Sequence, residues 1–156
     1  MRFLLGGWLV LAMFTCSAVP AVAQQDKVGV VAMVSPKATG QAPHRSIKPL
    51  AIGNAVVRKE KLSTIDKGKV QLLLIDQSTI TMAENSQIII DDFVLDAETG
   101  ASRITATIYS GLVRYSGRRN PKASAEFLTP SGVVTLQGGG GAVITAEPSS
   151  ISGPGQ

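Results

Sequence analysis

The sequence predicts an all-β domain, expected as a short twisted β-solenoid or β-roll of many short strands. Three observations lead there. Beyond Ala23, runs rich in Val, Ile and Thr are punctuated by Gly, Asn, Asp, Ser and Pro every ~8–12 residues, the rhythm of strands and turns. No window in that stretch carries the 3.6-residue apolar stripe of an amphipathic helix. Leu72, Ile80 and Ile88 recur at an eight-residue step, and Leu74, Met82 and Ile90 repeat it two positions later. Asp76, Glu84 and Asp92 keep the same step at polar positions. Such a unit fits β-arcs stacked coil on coil, and it also fits a meander of even hairpins. In either arrangement the six apolar residues point into one core.

The elements follow in chain order. Met1-Arg2, an apolar run from Phe3 to Val19, the breaker Pro20 and the small residues Ala21-Val22-Ala23 read as a cleavable secretory signal over residues 1–23. The apolar run is short for a membrane span, which needs about 20 residues. The expected mature chain begins at Gln24 and is periplasmic or secreted, with no membrane span after cleavage. Cys16, the one cysteine, falls inside the signal and follows Met13-Phe14-Thr15, which is no lipidation site. No disulfide or thiol chemistry is therefore expected of the mature domain.

Residues 24–147 form the expected domain. Val28 to Ser35 reads as the first strand, and Pro36 to Arg45, with Gly40 and Pro43, as a loop. Strands are expected at Leu62 to Ile65, Val70 to Ile75, Thr79 to Met82 and Gln87 to Leu95. Further strands are expected at Ser102 to Tyr109 and Leu112 to Tyr115, separated by a turn at Ser110-Gly111. Glu126 to Thr129, Val133 to Leu136 and Ala142 to Ala146 complete the series, the last two joined by the glycine run Gly138 to Gly141. That run lacks the Lys-Ser/Thr ending and the following helix of a phosphate loop, so it reads as a turn. Residues 148–156, rich in Pro, Gly and Ser, read as a disordered tail.

Composition excludes most chemistry. The chain has one histidine, His44, in a Pro-containing loop, so no zinc site of common composition can be assembled and no cofactor or metal is expected. Asp91, Asp92, Asp96 and Glu98 are the densest carboxylates and would suit a hard cation, but their spacing fits no EF-hand loop and a solvated role is preferred. No serine sits in a nucleophile elbow. The net charge of +4 is scattered rather than gathered into a basic face with aromatics, which argues against nucleic acid. An enzyme is not expected, and no catalytic residue is assigned.

Several segments, in this order, are similar to the turns and strands of one known domain family. Ile52-Gly53-Asn54 followed by Glu60-Lys61-Leu62-Ser63-Thr64 resembles the family's opening, and Lys67 to Leu72 its turn into a strand. Asp76-Gln77-Ser78 stands where the family has Asp-Gly-Ser, and Asn85-Ser86 with Ile88 and Ile90 resembles the next turn and strand. Ser110-Gly111-Leu112-Val113-Arg114 resembles its Gly-x-Val-Arg element, and Phe127 to Val134 its Thr-Pro segment. Together these segments resemble the FecR domain family, and the chain departs from its pattern at Gln77 and in the run Gly138 to Gly141. In signalling regulators of this family, a cytoplasmic helical segment and a membrane span precede the domain. Here a signal peptide is expected in that place, so the resemblance implies a fold and a contact function rather than direct sigma-factor control.

The expectation is a non-enzymatic module that binds another envelope or periplasmic protein, with its oligomeric state open. The alternative is a structural or ligand-binding envelope module that contacts polysaccharide or anionic surfaces through Lys and Arg. Exposed strand edges suit strand addition. The last strand is the candidate edge, with Val143 and Thr145 on it, and Arg118-Arg119 is the second candidate surface.

Overall fold

The computed structural model describes residues 27–148, which are all β. The strands are β1 (Lys27–Val34), β2 (Ala38–Gln41), β3 (Lys48–Pro49), β4 (Ala55–Val57), β5 (Lys61–Thr64) and β6 (Val70–Leu74). They continue with β7 (Thr79–Met82), β8 (Gln87–Leu95), β9 (Ser102–Ser116), β10 (Ala123–Thr129), β11 (Gly132–Gln137) and β12 (Gly141–Ala146). The expected signal peptide and nearly all of the expected tail lie outside the described residues.

The strands belong to one curled sheet whose halves face each other. One layer runs β4-β1-β6-β7, continues to the C-terminal half of β9, and ends at β12. The other runs β3-β2-β5-β8, continues to the N-terminal half of β9, and ends with β10 and β11. Tyr115 from the first layer meets Phe127 from the second, their rings 5.1 Å apart in a tilted contact. One continuous apolar core lies between the layers, and Leu72, Leu74, Ile80, Met82, Ile88 and Ile90 are all buried in it as expected.

The eight-residue step has a different origin from coil-on-coil stacking. Leu72 and Ile80 are partners across the antiparallel β6–β7 hairpin. Ile80 and Ile88 lie in different layers, because the chain crosses between layers at Ala83–Ser86. A short hairpin and a short corner consume the same number of residues, so one spacing describes both. Such corners line up along one side of the fold. The Ile65 N–H donates to the Lys37 carbonyl (3.0 Å), Thr64 N–H to Ser86 (2.9 Å), and Ala83 N–H to Leu112 (2.9 Å).

Two expectations change here. The Pro36–Arg45 loop contains β2, whose Gly40 is demanded by packing: a Cβ there would stand 2.6 Å from Glu60 Oε1 and 2.8 Å from a Leu50 methyl. The expected pair of strands around Ser110-Gly111 is one strand, β9, bent between layers. Ile104, Ala106 and Ile108 point inward before the bend, whereas Val113 and Tyr115 do so after it. The parity change is a β-bulge: Gln87 and Ile88 oppose Ser110 and Ile108, leaving Tyr109 unpaired.

Candidate functional site

The carboxylates proposed from sequence do not gather into a site. Asp91 accepts a hydrogen bond from the Thr107 hydroxyl (2.7 Å), and Asp92 pairs with Arg58 (3.1 Å). Asp96 accepts from the Thr99 backbone N–H and from that of Glu98, and hydrogen bonds from Thr99 above all, with the Glu98 N–H, hold its carboxyl below its ordinary value. No group of three or more potential metal ligands occurs among the described residues. His44 is exposed in its loop.

The short motifs turn out to be the joints of the fold. Glu60 is buried, with Oε2 accepting from the Val57 N–H (3.0 Å). The Thr64 hydroxyl donates to the Ala83 carbonyl (2.6 Å) and accepts from the Ser86 N–H (3.0 Å). Ser86 Oγ in turn accepts from the Leu112 N–H (3.1 Å), beside Gly111. These polar groups tie three crossings together at positions where unpaired backbone groups would be costly.

Asp76-Gln77-Ser78 is the β6–β7 turn. Asp76 accepts from both the backbone N–H and the hydroxyl of buried Ser78. Gln77 stands at φ 71°, where a side chain is disfavoured. Gln77→Gly is expected to stabilise the domain by about 1 kcal/mol, read as a raised urea midpoint. Burial pushes the neighbouring Tyr115 phenol above its ordinary value; a hydrogen bond with Ser78 opposes this and the Asp76 charge adds to it. The unfolded chain releases this proton at about pH 10 and the folded chain only above that. Stability should therefore fall as pH rises beyond about 10. Tyr115→Phe should flatten that part of the urea midpoint-versus-pH curve.

Among the described residues, the remaining feature is a pair of open strand edges. In β9 the Leu112 carbonyl faces β7, where Ala83 donates to it, while the Gly117 N–H reaches Gly140 on the other side (3.1 Å). Alternation along an antiparallel ladder then directs Ala142, Ile144 and Ala146 toward β9. Gly141, Val143 and Thr145 direct their N–H and C=O groups away from it, toward the open edge. The same reasoning from the Gly138 N–H on Ala123 (2.9 Å) leaves Val133, Thr135 and Gln137 facing outward from β11.

These two edges flank one groove of about 390 Å³ lined by residues of both strands. Its origin is a mismatch between layers. β12 and β10 lie on the same side of β9, so β12 covers β10 and no described strand of the first layer covers β11. Accordingly Ala123, Ala125 and Phe127 of β10 are buried, while Val134 and Leu136 of β11 are only partly so. Val133 and Val143 are among the most exposed apolar residues, at 60% and 62%. The sheet's opposite ends are guarded: β3 is the pair Lys48-Pro49, and the short β4 runs into Arg58-Lys59. Neither β11 nor β12 carries a charge.

Val143 and Thr145 thus lie together on the exposed face of the β12 edge. Arg118 and Arg119, also exposed, sit apart at the closed end, where Gly139 packs against the Arg118 backbone. The β11 edge escaped the sequence reading, although its six uncharged residues after a Pro-Ser turn were a visible signal.

A family model described as FecR protein matches residues 60–152. The chain belongs to the FecR family. Glu60, Thr64, Ser86 and Gly111, which form the joints between layers, all fall within the FecR match. The FecR family is one of envelope signalling and regulation rather than of known enzymes. No curated protein and no solved structure gave a significant match.

Proposed function

We propose that this FecR domain is a periplasmic or secreted, non-enzymatic module that binds another envelope protein by strand addition at β12. The observation that carries the reading is the row of outward N–H and C=O groups at Gly141, Val143 and Thr145 on an uncharged, unguarded strand. The signal-like residues 1–23 support the compartment, and family membership supports a signalling contact. Arg118 and Arg119 supply a second surface at the closed end of the groove.

The test uses proline. At Val143 or Thr145 the ring removes an N–H that points away from β9, so the ladder that holds β12 in place keeps its bonds. Val143→Pro and Thr145→Pro are expected to abolish retention of the proteins that the wild-type mature domain captures from envelope extract in high salt. Circular dichroism should stay unchanged. Retention that survives both substitutions would sink the edge reading. Retention lost in high salt for the wild type would favour contact with an anionic surface through Lys and Arg.

A further inference from the structure

We propose that a second copy of this chain fills the groove, in a two-fold dimer that seats the β11 strand of each copy beside the β12 strand of the other. The inference rests on the reading of β12 as an open edge and names its occupant in the free protein. The step between the layers carries it. Among the described residues, β11 projects one strand beyond β12, so the first layer stops one strand short above it. A two-fold axis that runs along the strands, midway between the layers, exchanges the layers of the two copies. It brings the projecting β11 of one copy into the open place beside β12 of the other, and the exchange is reciprocal. Both open edges of both copies close at once.

Direction, register and side chains all agree with this arrangement. β11 and β12 are consecutive strands joined by the short crossing Gly138 to Gly140, so they run in opposite directions. The axis preserves direction along the strands, which makes the new pairs antiparallel. Gln137 and Gly141 flank the crossing at one level, and Val133 and Thr145, four residues away on each strand, both line the groove. The axis keeps these levels. Gln137 then meets Gly141 of the second copy, Thr135 meets Val143, and Val133 meets Thr145. All are outward-bonding positions, so each of these pairs exchanges hydrogen bonds. Between them Leu136 lies opposite Ala142, and Val134 opposite Ile144, with their side chains toward the core. Val134 and Leu136, only partly buried in one copy, are roofed by the same residues of the other. A two-fold contact fails where like charges face each other, and neither strand carries a charge. An envelope partner that adds a strand to β12 must displace the second copy, so dimer and partner complex exclude each other at that edge.

Analytical ultracentrifugation of the mature protein over a dilution series tests this, with amide exchange read by NMR at both ends of the series. The concentrated protein is expected to sediment at twice the monomer mass and to dissociate on dilution. The Thr135 and Val143 N–H groups should lose protection together as it does so. Thr135→Pro removes an outward N–H of β11 and keeps the bonds of that strand to β10. Present twice in the dimer, it should raise the dissociation midpoint at least about tenfold, with circular dichroism unchanged. Leu136→Lys, which sets like charges face to face across the axis, should do the same. A monomer at every concentration would overturn the proposal, as would larger open-ended assemblies or a dimer indifferent to both substitutions. Protection of Thr135 and Val143 that persists on dilution would also overturn it, since the edges would then close within one chain. The two readings fail separately. A wild type that stays monomeric, yet loses capture of envelope proteins on Val143→Pro, would leave the docking edge standing and remove the dimer. A dimer lost on Thr135→Pro, with capture that survives both Val143→Pro and Thr145→Pro, would do the reverse.

Discussion

Gly111→Ala is expected to destabilise the domain by about 3–5 kcal/mol, combining a left-handed residue with overpacking of a closed corner. Gly111 stands at φ 87°, in the bend that carries β9 from one layer to the other. A Cβ there would overlap the Ser86 side chain and approach its Cα to 2.5 Å. Ser86 cannot withdraw freely, because its Oγ accepts from the Leu112 N–H and its N–H donates to Thr64 Oγ1. Ser86→Gly in the Gly111→Ala background should recover part of the loss by removing the Oγ and Cβ overlap, leaving the backbone strain. Urea unfolding of the four variants in a double-mutant cycle measures that coupling. A Gly111→Ala protein with an unchanged urea midpoint would show that the bend is not built as described.

Phe127→Ala should cost about 3–5 kcal/mol, because the ring is fully buried and makes the aromatic contact between layers. Leu74→Ala, at a buried position of the β6–β7 hairpin, should cost about 2–5 kcal/mol. Gln71→Ala, on the outer face of the same strand, should stay within about 0.5 kcal/mol. A small domain has only about 5–15 kcal/mol in total, so the Phe127 variant should melt far below the wild type. Equal urea midpoints for Phe127→Ala and Gln71→Ala would contradict the two-layer core.

Both predictions fall on residues that the family pattern also includes, and this bears on how function should be sought. Glu60, Thr64, Ser86 and Gly111 hold corners and close backbone hydrogen bonds. Substituting them would disturb folding and thereby mimic a loss of function. Val143 and Thr145 project their N–H groups away from the ladder, so changes there separate contact from stability.

Much of the fold was legible from local patterns. β7 and β8 have their expected bounds, and the six apolar residues at the eight-residue step are buried as expected. Alternation with period two and turn residues at strand ends are local properties, and a chain can display them without knowing its neighbours. β2 was hidden because its Gly40 reads as a loop residue, while its real role is to admit Glu60 and Leu50. β9 was split in two because Ser110-Gly111 looks like any turn. Only the pairing with β8, β10, β7 and β12 shows that the strand continues through the bend.

The sequence by itself determined the all-β class, the inward set of side chains and the family. These depend on residue type and short-range spacing. It also singled out Val143 and Thr145 as edge candidates. Tertiary structure alone decided which strands pair, and so which edges stay open. Strand pairing joins residues far apart in the chain, and one apolar spacing serves a hairpin and a corner equally well. The direction of the Val143 and Thr145 N–H groups follows from the parity of the β9–β12 ladder. The groove follows from a count of strands in two facing layers. Neither quantity is carried by any local run of residues.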